Sequence, residues 1–130
     1  MQIVNEEQKI NIERDLYFDI LWPSKDTYIW DNVLNNNSLV CKLGYKDFSM
    51  LFTGDIEEVA EKEILNSYEN NLEILKSTIL KVAHHGSKTS SNIRFLEEVS
   101  PKVALIGVGQ DNKFGHPNEI VLNRLKNMRY

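Results

Sequence analysis

Two short strings carry side chains able to do chemistry: Thr53-Gly54-Asp55 and His84-His85-Gly86-Ser87. Each follows an apolar run that reads as a buried strand, Phe48 to Phe52 and then Ile79 to Ala83. A carboxylate and an imidazole pair at two strand exits supply the donors a divalent ion takes. One neutral imidazole can ligate, and the other can move a proton or hydrogen-bond an oxyanion. Glycine after the histidines lets the backbone turn sharply there. The plain alternatives differ. Asp55 and Glu58 have capping-box spacing, which would make Asp55 a helix N-cap. The two histidines could instead be solvated loop residues.

Further polar groups follow. Ser87, Lys88, Thr89, Ser90 and Ser91 place hydroxyls, backbone N–H groups and one lysine before a helix, a set that suits a phosphate or an ordinary helix start. His116, in Gly115-His116-Pro117, is a third polar group for a site or a helix-entry residue. The amides of Asn35-Asn36-Asn37 could reach a site from the side or simply form a turn. Cys41 is alone, so no internal disulfide forms, and its place in an apolar run makes it a core residue.

These residues need a scaffold, and the pattern supplies one. Leu16, Phe18 and Ile20 alternate with Tyr17 and Asp19, so the stretch from Ile10 to Leu21 reads as one strand, ended at Trp22-Pro23-Ser24. Lys25 to Asn37 reads as a loop with room for a short helical turn. Ser38 to Leu43 and Phe48 to Phe52 read as a hairpin. Ala60, Ile64 and Tyr68 then fall at helical spacing, with Glu57, Glu58 and Glu61 opposing the positive end of the helix dipole. Ser77 to Ala83 is a strand. A helix capped by Ser90 or Ser91 runs through Phe95, Leu96 and Val99. Val103 to Val108 is a strand whose unbroken apolar character predicts cover on both faces. Pro117 opens a last helix bearing Val121, Leu125 and Met128. Strands alternating with helices predict an α/β layered fold, a mixed sheet with helices on one face. The other face wants a cover that the pattern does not supply.

The chain has 130 residues, 42% of them hydrophobic, and a net charge of −4. That balance gives no global attraction to nucleic acid, so any contact would need a local patch such as Lys81, Lys88, Arg94 and Lys102. No apolar stretch approaches the ~20 residues of a membrane span. The polar first residues do not read as a signal peptide, and the compartment stays open.

Together these strings resemble the metallo-β-lactamase fold superfamily, and within it the C-terminal hydrolase-like domain of ComEC-type competence (DNA-uptake) proteins and their stand-alone relatives. The resemblance rests on Asn36-Asn37-Ser38, Leu51-Phe52-Thr53-Gly54-Asp55, Leu80 to Ser90, Pro101-Lys102-Val103-Ala104 and Phe114-Gly115-His116-Pro117, in the family's order, from about Ile12 onward. It implies an αββα sandwich with two zinc or manganese ions at its edge. Asp55 matches the aspartate that bridges the ions, His85 matches a late ligand, and His84 stands beside the substrate as a catalytic group with Asp55. Ser87, Lys88 and His116 would touch the substrate. The superfamily's His-x-His-x-Asp-His signature does not occur in these residues. The expectation is therefore a partial domain over residues 1–130, the C-terminal half of the sandwich, binding metal weakly or not at all. In the intact domain the resemblance implies hydrolysis of DNA or another phosphodiester. The alternative is a catalytically inactive half-domain that pairs, through its bare sheet face, with a second copy or an N-terminal half.

Overall fold

The computed structural model describes residues 8–128. Among these residues it is α/β, a mixed six-stranded sheet in the order β1-β2-β3-β4-β5-β6 with four α-helices. The strands are β1 Lys9–Glu13, β2 Leu16–Trp22, β3 Val40–Tyr45, β4 Phe48–Phe52, β5 Ile79–Lys81 and β6 Val103–Leu105. The helices are α1 Val33–Asn36, α2 Glu58–Ser67, α3 Ile93–Val99 and α4 Glu119–Asn127. β1 to β4 form an antiparallel meander, and β5 and β6 add parallel to β4. No helix among the described residues is long and apolar enough to cross a membrane.

Side chains in register share a face of the sheet. One face carries Val40, Leu51, Leu80 and Ala104. Ala60, Ile64 and Leu65 of α2, Phe95, Leu96 and Val99 of α3, and Val121 and Leu125 of α4 pack with it into one core. The other face carries two rows, Phe18–Leu43–Met50–Ile79–Val103 and Ile20–Cys41–Phe52–Lys81–Leu105. Ile20 and Cys41 are buried among their neighbours, and burial pushes the Cys41 thiol up. Val103 and Leu105 are each 45% exposed. Cover on both faces of β6 is thus not what the described residues show: its apolar residues face the core on one side and open space on the other.

Several boundaries differ from the sequence pattern for local reasons. The stretch from Ile10 to Leu21 is two strands, because Asp15 takes positive φ (65°) and reverses the chain. Aspartate tolerates that region better than bulky residues do. β6 stops at Leu105 rather than Val108, and two residues later the Gly107 carbonyl faces the His85 ring. Ser90 and Ser91 do not cap α3. The Ser90 hydroxyl is spent on the Ala83 and Ser87 carbonyls, and Asn92 caps through its side chain to the Arg94 N–H. α4 begins at Glu119 with Asn118 as its cap, so Pro117 precedes the first turn instead of forming it.

Glu61 locks the segment that carries the serines. It lies on the α2 face that holds Ala60, Ile64 and Leu65 and is fully buried. Its carboxylate accepts from the Ser91 N–H (2.6 Å) and the Asn92 N–H (2.8 Å). Arg124 of α4 closes the same segment from the far side, donating to the Ser90 and Ser91 carbonyls. Burial pushes the Glu61 carboxyl up to about 7, Glu58 adds to the rise, and the two backbone donors and Arg124 oppose it. Between the ordinary value of 4.5 and about 7, the folded chain keeps a proton that the unfolded chain releases. Stability therefore falls as pH rises through that window. Urea unfolding is expected to be hardest near pH 5 and easier by roughly 1–3 kcal/mol near pH 8. Glu61→Gln loses this slope, and an unchanged slope in the variant would assign it elsewhere.

Candidate functional site

The site forms where β4 and β5 end side by side. The Thr53 hydroxyl, fully buried, donates to the Lys81 carbonyl (2.6 Å), which extends the parallel pairing past Phe52. The Gly54 carbonyl then accepts from the Lys81 ammonium (3.2 Å) and from the His84 N–H (3.1 Å). These three bonds fix the Gly54-Asp55 turn against the His84-His85 turn. Gly54 has φ +53°, and a Cβ there would sit 2.7 Å from Ser38 Cβ. Only glycine fits.

Asp55 and His85 meet: Oδ1 and Nε2 stand 3.6 Å apart, with both side chains about half exposed. The His85 Nδ1 lies 2.6 Å from the Gly107 carbonyl. A carbonyl only accepts, so Nδ1 carries a proton, and Nε2 is the ring nitrogen that faces Asp55. Asp55 is not the N-cap of α2. Glu57 holds that position, and the Glu58 N–H is satisfied by the Thr89 carbonyl (2.8 Å). The carboxylate is free of the capping task because a backbone group performs it.

His84 stands in a different environment. Its Nδ1 lies 3.4 Å from Glu57 Oε1 and its Nε2 3.4 Å from Asn35 Nδ2. Glu57 also takes the Thr89 hydroxyl (2.8 Å), and its backbone N–H donates to Asn36 Oδ1 (2.9 Å). Asn36 is fully buried, and its carbonyl accepts from the Trp22 indole. Asn37 pins the preceding loop through the Ile29 backbone and the Val33 carbonyl. The three asparagines thus divide the work: Asn35 meets the imidazole, Asn36 joins α1 to the start of α2, and Asn37 folds the loop.

His116 stacks under the exposed Phe114 (6.0 Å between ring centroids) and meets His84 edge-on at 5.8 Å. Its Nδ1 is buried without a hydrogen bond. Ser87 is buried, its hydroxyl 3.0 Å from that of Thr89, whereas Lys88 points to solvent. The four cations of the supposed patch do not share a face. Lys81 lies in a row of the open sheet face, and Arg94 lies on α3, which covers the other.

Asp55 and His85 therefore fit two donors of one divalent ion, and His84 stands beside them with its own carboxylate. Among the described residues no three His, Cys, Asp or Glu side chains gather at one point. Two donors leave half of a four-donor shell to other groups. Glu57 was read from sequence only as a dipole-facing residue, and its contact with His84 is long-range, 27 positions along the chain. Its place two residues after Asp55, at the helix entrance, was the available signal.

The chain matches one segment of proteins named for competence. It is 36% identical over 113 residues to ComE operon protein 3 of Bacillus subtilis, covering 87% of this chain and 14% of that protein. It is 37% identical over 109 residues to competence protein ComA of Neisseria gonorrhoeae, covering 84% and 15%. It is 34% identical over 110 residues to recombination protein 2 of Haemophilus influenzae, covering 85% and 13%. The chain thus spans about one seventh of the length of the first two relatives. No family model matches it.

Gly86 joins the histidine turn to the His116 segment. It has φ +78°, its carbonyl accepts from the Asn118 N–H (2.8 Å), and a Cβ there would meet Pro117 Cβ at 2.8 Å. Gly86→Ala is expected to cost roughly 2 kcal/mol or more in urea unfolding. Gly109→Ala, where a Cβ meets nothing within 4 Å, is expected to be near neutral. Equal effects of the two would remove the packing argument.

Proposed function

We propose that the chain is the metal-binding edge of a hydrolase domain of metallo-β-lactamase type that acts on phosphodiesters in DNA uptake. One observation carries this reading: Asp55 Oδ1 and His85 Nε2 stand 3.6 Å apart at the exits of two parallel strands. The similarity to proteins named for competence supports the biological setting. In this reading Asp55 and His85 hold a zinc or manganese ion. Such an ion supplies Lewis acidity toward a phosphoryl oxygen and makes water a nucleophile at neutral pH. His84 accepts or returns a proton through Nε2, Lys88 faces the substrate's negative charge from solvent, and His116 with Phe114 walls one side. With two donors the chain alone holds the ion weakly and turns over negligibly.

Calorimetric titration with zinc chloride is expected to show one weak site that Asp55→Ala and His85→Ala each abolish and Lys102→Ala leaves unchanged. Binding that survives both site variants, or no binding at all, would defeat the metal assignment. Robust metal-dependent cleavage of a phosphodiester by these 130 residues would defeat the inactivity of the chain alone.

A second reading rests on the open sheet face, where Phe18, Leu43, Met50, Phe52, Ile79, Val103 and Leu105 lie in register. The chain then acts as an interaction module, and the occupant is a second copy seated face to face. Apolar area removed from water contributes about 25 cal/mol per Å², from which the ordering costs of association subtract. Sedimentation is expected to show a dimer that Phe52→Asp dissociates; a monomer at high micromolar concentration would exclude it.

A further inference from the structure

We propose that Glu57 is the positioning residue for His84, holding the imidazole in the tautomer that presents Nε2 to the site. The assignment deepens the proposed hydrolytic role and rests on it. The argument begins with the backbone. His84 has φ +47°, a conformation non-glycine residues rarely adopt, and its N–H is tied to the Gly54 carbonyl (3.1 Å). Strained residues of this kind persist where surrounding contacts over-determine them. Here that conformation brings the ring between α1 and the entrance of α2.

Two neighbouring segments hold Glu57. Asn36 Oδ1 holds its backbone N–H (2.9 Å), the Thr89 hydroxyl donates to Oε1 (2.8 Å), and Asn36 Nδ2 lies 3.5 Å from Oε2. Glu57 makes no side-chain capping bond to its own helix. The acid is thus anchored from two neighbouring segments and left facing the ring, with His84 Nδ1 3.4 Å from Oε1. Nδ1 is sealed from solvent and makes no hydrogen bond, and the Glu57 carboxylate is the acceptor beside it. An unpartnered buried nitrogen is costly, and a carboxylate can only accept from a neutral ring. The proton therefore sits on Nδ1, and Nε2 keeps its lone pair. Asn35 agrees, since its amide nitrogen approaches Nε2 as a donor (3.4 Å). Carboxylate-oriented imidazoles of this kind keep the other ring nitrogen as the acceptor. His85 reaches the same end by a different route, through the Gly107 carbonyl. The two neighbouring rings present the same nitrogen, one backed by a carboxylate and one by a peptide.

The test is the tautomeric state of His84 in the uniformly ¹⁵N-labelled full chain, read by long-range ¹H–¹⁵N correlation at pH 8.5. The expected result is the Nδ1–H form in the wild type and a shift toward Nε2–H, the form a free side chain favours, in Glu57→Ala. Thr89→Val, which keeps the carboxylate but removes its hydroxyl anchor, should shift the balance less. A wild-type His84 in the Nε2–H form overturns the proposal without any variant. An identical tautomer ratio in a folded Glu57→Ala, shown by a dispersed backbone amide spectrum, overturns it equally. Either outcome leaves the metal assignment standing, because that is read at Asp55 and His85 by titration.

Discussion

The bond from the buried Thr53 hydroxyl to the Lys81 carbonyl is the contact on which the site depends. Parallel strands need long crossovers, so β4 and β5 are joined only through α2 and the turn at Leu72–Leu75 that follows it. Their pairing covers just three residues on each side. The hydroxyl extends this short ladder by one rung, and the His84 N–H adds another at Gly54. Without these rungs the two turns would be loop ends with independent motion. With them, Asp55 and the histidines belong to the rigid sheet, which is how a site keeps donors within reach of one another.

A second layer of polar contacts surrounds this edge, and the first turns of α2 are its hub. Glu57 reaches forward to His84 and Thr89, Glu58 reaches Asn92, and Glu61 reaches the Ser91 and Asn92 amides. Three acids on one helix thereby tie the serine-rich segment and α3 to the site. Each bond spans more than 25 positions of chain, so the contacts form only in the folded state. Arg124 completes the arrangement from α4.

Much of this was readable from the residues, and the part that was not has a common cause. The alternation around Phe18 and the spacing of Ala60, Ile64 and Val121 announced strands and helices, because local periodicity follows the face that is buried. The convergence of Asp55 with His85 followed from both lying just past apolar strands. Glu61 was read only as a charge opposing the helix dipole, although it lies three residues before Ile64 and four before Leu65, inside the apolar stripe. Its partners are backbone amides, which no residue type announces. Glu57 failed for the same reason, since its carboxylate is defined by a ring 27 positions away. The capping assignment for Asp55 failed because a distant carbonyl, that of Thr89, took the task. Local signals name elements; contacts between distant segments give them roles.

The open face and the site are not separate places. A hollow of about 550 Å³ on that face is lined by Phe18, Leu39, Cys41, Phe52, Gly54 and Lys81. Gly54 is also the residue whose carbonyl ties Lys81 and His84 together. A layer seated in the hollow would displace solvent from Gly54 and Lys81, at the edge of the site. Removing solvent there lowers the effective dielectric beside Gly54 and Lys81, which strengthens charge interactions at that edge. In the proposed reading, a partner layer on the sheet and a cation at Asp55 would therefore be coupled through the Gly54 peptide.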